Sequence, residues 1–268
     1  MRRTWIGTGW KMNFLRAEAE AYVDELGVAL QGGVPEGLQI FVVPPATVLR
    51  AVRERAKGLP LLVGAQNMHW EESGAFTGEI SPAMVKDCGA DLVELGHSER
   101  RAMFGETDAA VNRKVHAALA HGLTPLVCVG ETADEKRLGA ARESVVRQAK
   151  IALHGVPAQR IPEVLLAYEP VWAIGAGGTP AEPGYAAQMH AALRAAIGEV
   201  HGAATAARCA ILYGGSVDLG NARPFLAERE VDGLFVGRTA WKASGLVALI
   251  RIAGEMLPTR RKQRLEAS

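Results

Sequence analysis

Cysteine is scarce in this 268-residue chain. There are three, Cys88, Cys128 and Cys209, far apart and odd in number. That excludes a disulfide framework, and without a C-x-x-C pair nothing points to zinc. All three are expected to be buried, inert thiols in a cytoplasmic protein. Charge of one sign is not in excess either, with 30 Lys+Arg against 29 Asp+Glu. The chain therefore offers no global reason to bind nucleic acid or an anionic membrane. No apolar run approaches the roughly 18 residues of a bilayer span. The start, Met1-Arg2-Arg3-Thr4-Trp5, lacks the apolar stretch and small-residue site of a signal peptide. Low-complexity segments and Gly/Pro-rich linkers between domains are also missing. What remains is 49% hydrophobic and 22% charged, the make-up of a globular chain, read as one domain over residues 1–268.

Short Val/Ile/Leu-rich runs recur at Trp5–Gly7, Ile40–Val43, Leu61–Val63, Leu92–Leu95, Pro125–Val129, Val164–Tyr168, Ala210–Tyr213 and Leu234–Val236. They run through without polar alternation, as strands covered on both faces do. Between them lie stretches of helical period such as Ala17–Leu30, Thr107–His121 and Ala186–His201. Repeated strand-then-helix units over this length predict a closed parallel (β/α)8 barrel. The alternative is an open doubly wound sheet, weakened because no G-x-G-x-x-G follows the first strand. The Gly/Pro-rich stretch Gly175–Gly184 reads as one long loop. The basic tail Arg260–Ser268 reads as a solvated end.

In such a barrel the chemistry sits where strands end. The first strand is followed by Trp10-Lys11-Met12-Asn13, the fourth by Gly96-His97-Ser98-Glu99-Arg100-Arg101 and the sixth by Glu169-Pro170-Val171-Trp172. The seventh leads into Gly214-Gly215-Ser216-Val217 and the eighth into Gly237-Arg238-Thr239-Ala240-Trp241. Taken singly, Lys11 could be a solvated lysine, His97 a structural histidine and Glu169 an arginine's partner. Placed together on one rim they are a cation, a hydrogen-bond donor and a base, the parts that move a proton beside a carbonyl. Turns after the last two strands are where barrels often hold phosphate. The remaining histidines show no ligand clustering, so no metal or organic cofactor is expected, and His69 beside Trp70 is expected to pack or hydrogen-bond at an interface.

These motifs, with Gly64-Ala65-Gln66-Asn67, Ser73-Gly74-Ala75-Phe76-Thr77-Gly78-Glu79 and Ala167-Tyr168-Glu169-Pro170-Val171-Trp172-Ala173-Ile174-Gly175, occur in one order along nearly the whole chain. In that order the chain resembles the triosephosphate isomerase family, a standard worked case of tuned acid–base groups on a TIM barrel. The resemblance implies an isomerase of phosphorylated aldoses and ketoses that works through an enediolate. Glu169 would be the base. His97, neutral at a helix start, would donate a hydrogen bond to the enediolate oxygens, and Lys11 would supply fixed positive charge. Glu99 and Asn13 would support the first loop, and Ser98 would hydrogen-bond the base when the site is open. Pro170–Thr179, with the small residues Gly175, Ala176, Gly177 and Gly178, would be a lid whose Gly175 amide meets the phosphate. Ser216 and the amides of Gly237 and Arg238 would complete the phosphate cradle. The segment Gln66–Glu79 would join a homodimer, with Thr77 reaching the partner's site. The alternatives are that this loop covers only its own barrel, and that the whole barrel binds sugar phosphate without turning it over.

Two positions depart from the family pattern. The family carries Asn two residues before the lysine, where this chain has Gly9. After the eighth strand the family has Gly-Gly-Ala-Ser-Leu, where this chain has Gly237-Arg238-Thr239-Ala240-Trp241. Gly9 opens room beside the reacting carbons, and Trp241 is far bulkier than its counterpart. Together these changes are similar to the branch that isomerises erythrulose phosphates, interconverting L-erythrulose 1-phosphate and D-erythrulose 4-phosphate. The other reading is a triosephosphate isomerase acting on dihydroxyacetone phosphate and glyceraldehyde 3-phosphate, with drift at both positions.

Overall fold

The computed structural model describes residues 2–175 and 177–265. Met1, Ala176 of the expected lid and the last three residues of the tail lie outside them. Eight parallel strands close into a barrel in sequence order. They are β1 (Thr4–Gly9), β2 (Leu38–Val43), β3 (Leu61–Ala65), β4 (Leu92–Leu95), β5 (Thr124–Val129), β6 (Leu165–Tyr168), β7 (Ala210–Tyr213) and β8 (Gly233–Val236). Pairing of Ile6 with Leu234 and Gly7 with Phe235 joins β1 to β8 and excludes the open sheet.

Both strand faces are buried, and the core divides accordingly. Phe41, Val43, Leu92, Leu126, Leu165, Leu212 and Phe235 fill the barrel, while a second, larger cluster lies between the strands and the helices. Each such side chain contributes about 1.5–3 kcal/mol on burial. Helix starts carry the caps the sequence provides. The Thr107 hydroxyl accepts from the Ala110 amide at 3.2 Å, and Thr132 and Glu135 form a reciprocal capping box.

Three expectations need correction. The last helix runs Ala243–Leu265, so the tail does not fray from Arg260. Arg260 is buried and donates to the carbonyls of Leu226 and Val231 and to Thr4 Oγ1, tying the last helix to the bottom of the barrel. The loop after Gly175 ends at Glu182, because Pro183 opens the helix Pro183–His201. Cys88, at the end of the short helix Pro82–Asp87, is partly exposed, whereas Cys128 and Cys209 are buried. His69 stacks on Trp70 and Phe76 of its own loop and accepts the Glu71 amide. Among the described residues no helix is long and apolar enough to cross a membrane.

Candidate active site

Above the C-terminal ends of the strands lies a cavity of about 580 Å³. Lys11, His97 and Glu169 line it on one side, and Gly175, Ser216, Gly237 and Arg238 on the other. Each is delivered by a strand end, as barrel geometry requires.

Lys11 follows β1 in a left-handed conformation (φ 52°), which costs a non-glycine residue strain and needs support. Three hydrogen bonds hold the turn. Gln66 Nε2 donates to the Lys11 carbonyl at 2.8 Å, Asn13 Nδ2 to the Trp10 carbonyl at 2.7 Å and Trp241 Nε1 to the Gly9 carbonyl at 2.9 Å. Glu99 takes the Lys11 ammonium at 2.6 Å. Asn13, Glu99 and Trp241 thus all hold the first loop.

His97 caps the helix Ser98–Phe104, its Nδ1 accepting the Glu99 amide at 3.1 Å. A ring nitrogen that accepts an N–H carries no proton, so the proton sits on Nε2. Burial first, and the nearby charge of Lys11 second, push the imidazole down to about 4, against the opposing pull of Glu99 and Glu106. The ring is therefore neutral at pH 7, with Nε2–H directed toward Glu169, whose Oε2 is 3.6 Å away. Burial leads this shift, and the helix start contributes the Glu99 amide on Nδ1.

Glu169 sits at the end of β6, its amide donating to the Val129 carbonyl at 2.8 Å. The side chain is 4% exposed, and Oε2 is buried without a hydrogen-bond partner. Among the described residues no arginine pairs with it. Burial and the neighbouring Glu94 raise it well above the ordinary glutamate range. A Cβ on Gly214 would lie 2.7 Å from Glu169 Cγ and Oε1, so the base demands glycine at this point of the β7 turn. Ser98 lines an adjoining cavity with Glu169, but no hydrogen bond joins the two among the described residues, because the carboxylate is turned toward His97.

The segment after β6 is tied down at several points. The Ser216 amide donates to the Ala173 carbonyl at 2.9 Å, and the Ala181 amide to Tyr213 Oη at 3.3 Å. Arg238 donates from its guanidinium to the Gly175 carbonyl at 2.9 Å, so its side chain clasps the lid. At the hinge, Glu131 Oε1 accepts from Tyr168, Trp172 and Tyr185 at 3.1, 2.8 and 3.0 Å. Thr77 stands apart: it is exposed in the loop after β3 and does not line this cavity.

The family model for triosephosphate isomerase matches residues 4–253. The chain belongs to the triosephosphate isomerase family. An L-erythrulose-1-phosphate isomerase of Brucella abortus is 48% identical over 251 residues, covering 93% of this chain and 96% of that protein. The enzyme of the same name from Rhizobium meliloti is 48% identical over 250 residues, covering 92% and 95%. That of Mesorhizobium japonicum is 46% identical over 247 residues, with the same coverage.

The departures from the family pattern meet in space. A Cβ at Gly9 would lie 3.0 Å from Phe235 Cζ and 3.5 Å from Glu94 Oε2. Phe235 in turn stacks on Phe41, with ring centroids 5.5 Å apart. Glu94 and Phe235 escaped the sequence reading, and so did Glu131. The signal for Glu94 was present: a carboxylate inside Leu92–Leu95, a run otherwise apolar and buried on both faces. Inward-pointing acids in such strands are rare unless paired or functional.

Proposed function

We propose that this chain interconverts L-erythrulose 1-phosphate and D-erythrulose 4-phosphate through an enediolate. The observation that carries the reading is the absence of a side chain at Gly9, which lines the same cavity as Glu169 and His97. L-Erythrulose 1-phosphate is dihydroxyacetone phosphate with one more hydroxymethyl group, placed on the carbon that loses its proton. A glycine there leaves that wall of the cavity without a side chain, which supports a larger group on the reacting carbon, and isomerases with this activity in their names share nearly half the sequence.

In this mechanism Glu169 takes the proton from the hydroxymethyl-bearing carbon. Charge develops on the two neighbouring oxygens, which accept from the neutral His97 Nε2–H and face the Lys11 ammonium. The neutral imidazole takes the electrophile's part here, polarising the carbonyl through its Nε2–H. Glu169 then returns the proton to the adjacent carbon while the hydroxyl proton passes from one oxygen to the other by way of His97 Nε2, and the carbonyl has moved by one position. The Ser216 hydroxyl and the backbone amides of Gly237 and Arg238 hold the phosphate, joined by the Gly175 amide from the lid. With Arg238 clasping Gly175, closure excludes water, from which the enediolate must be kept if it is not to lose its phosphate.

The test is kcat/KM for L-erythrulose 1-phosphate and for glyceraldehyde 3-phosphate, side by side. We expect a large preference for the four-carbon substrate, and Gly9→Asn should reduce that activity more than the three-carbon one. A preference for glyceraldehyde 3-phosphate identifies a triosephosphate isomerase instead. Equal losses in Gly9→Asn would remove the role given to the open space.

The same reading makes the protein a homodimer. A second cavity of about 370 Å³ opens beside Lys11, lined by Met12, Gln66, Gly78 and Phe104 among others. Met12 is 96% exposed and Phe104 66%, an apolar rim that a single chain leaves in water. The partner's Thr77 loop would enter there and brace Asn13 and Lys11. Sedimentation equilibrium should give twice the chain mass at micromolar concentration; a single-chain mass overturns the arrangement.

A further inference from the structure

Glu94 projects from β4 into the barrel and is 6% exposed. The Cys128 thiol approaches its Oε1 at 3.8 Å, a weak contact, and its other oxygen lies toward Gly9. The charged groups around it are Lys11, Glu99, Glu106 and Glu169. The one cation among them, Lys11, is committed to Glu99. A buried carboxyl group without a salt-bridge partner is costly, and a core built for stability alone would carry an apolar residue here. Leu92, Leu126 and Phe235, which share this interior, are such residues.

The position of the carboxyl gives it a use. An atom placed where the Gly9 side chain would begin lies 3.5 Å from Glu94 Oε2. Glu94 lines the same cavity as His97 and Glu169. The Glu94 carboxyl thus stands on the wall of the cavity that holds His97 and Glu169, next to a backbone position with no side chain, within reach of a hydroxyl on a substrate bound there. We propose that Glu94 is a substrate-binding, specificity-determining residue, its carboxyl group hydrogen-bonding the hydroxyl of the extra hydroxymethyl group of a four-carbon sugar phosphate. The inference rests on the four-carbon reading given above. Burial pushes the group up to about 8, so near pH 7 it carries its proton and can both donate to and accept from a hydroxyl. Phe235 shapes the other side of the space and offers the hydroxyl no competing partner.

The test compares wild type, Glu94→Leu and Glu94→Gln on both substrates, at a pH where activity has reached its plateau in every variant. In Glu94→Leu, kcat/KM for L-erythrulose 1-phosphate should fall about 100-fold, because a buried hydroxyl loses its partner. Activity on glyceraldehyde 3-phosphate, which has no group at this position, should change by less than about threefold. Glu94→Gln keeps a donor and an acceptor and should retain the four-carbon activity within about tenfold. Should Glu94→Leu fail to fold, the smaller Glu94→Val carries the same expectation. Equal losses on both substrates, or a shared shift of the acid limb with the substrate ratio unchanged, would reduce Glu94 to a neighbour that tunes Glu169 and overturn the inference. A wild type that prefers glyceraldehyde 3-phosphate overturns the substrate assignment and this inference together. A wild type that prefers the four-carbon substrate, with Glu94→Leu keeping that preference, overturns this inference alone.

Discussion

Replacing Glu169 by glutamine should lower kcat by at least about 10³-fold, the upper range for a positioned general base. Glutamine keeps the length and the shape, so it meets the close approach at Gly214 as glutamate does. It cannot accept the proton. Ser216, Gly237 and Arg238, which would bind the phosphate, are untouched, so KM for the sugar phosphate should move little. That split separates loss of chemistry from loss of binding. The pH dependence follows from the same group. Activity needs Glu169 ionised, and its proton is held well above the ordinary glutamate range by burial and by Glu94. The acid limb of the kcat/KM profile should therefore lie above the normal carboxylate region, activity falling as the pH drops through it. His97, held down to about 4, stays neutral across that range and should add no limb near the usual histidine value. Turnover unchanged in Glu169→Gln would remove Glu169 from the role of base. An acid limb at the ordinary glutamate position would show that burial does not set its ionisation.

The barrel and its rim were legible for a simple reason. Doubly buried strands repeat with little polar interruption, and polar residues gather where each one stops. Lys11, His97 and Glu169 lie on three strand ends, and both strand and rim could be read from local pattern. Three things could not. The first is direction: Arg238 stands beside a phosphate turn, and only the fold shows its guanidinium reaching across to the Gly175 carbonyl. The second is distance in sequence: Arg260 looks like part of a basic tail until the last helix carries it under the barrel to Thr4, Leu226 and Val231. The third is the weight given to one residue in a pattern. Leu92–Leu95 was read as an apolar strand, and Glu94 was averaged into it. The gap at Gly9 was visible in the sequence, but not what borders it. That Gly9 on β1, Glu94 on β4 and Phe235 on β8 enclose one space is a property of barrel closure, which brings β8 beside β1 and points β4 across the interior toward both.

Glu94 should also cost the protein stability, by an amount that grows with pH. Its folded-state value is raised from 4.5 to about 8. Below pH 4.5 both the folded and the unfolded chain keep the proton, and the group is neutral in stability. Between 4.5 and about 8 the unfolded chain releases it while the folded chain holds it, so stability falls as the pH rises. Above that range the group is ionised in both states and the penalty is complete. The gap between 4.5 and about 8 corresponds to about 5 kcal/mol, a ceiling when part of it is shared with Glu169. Glu94→Gln removes the titration without opening a cavity. Its stability relative to wild type, from urea unfolding, should therefore rise by up to about 3.5 kcal/mol between pH 5 and pH 8. Parallel curves for the two proteins would mean that Glu94 is ionised in the folded state at ordinary pH. It would then face the substrate as an acceptor only, able to take a hydrogen bond from the extra hydroxyl but not to give one. Divergence in the expected direction would show a core that tolerates a destabilising acid at the one place where a four-carbon substrate offers it a partner. A cost of that size, kept at a site rather than in the scaffold, is the pattern expected when stability is given up for recognition.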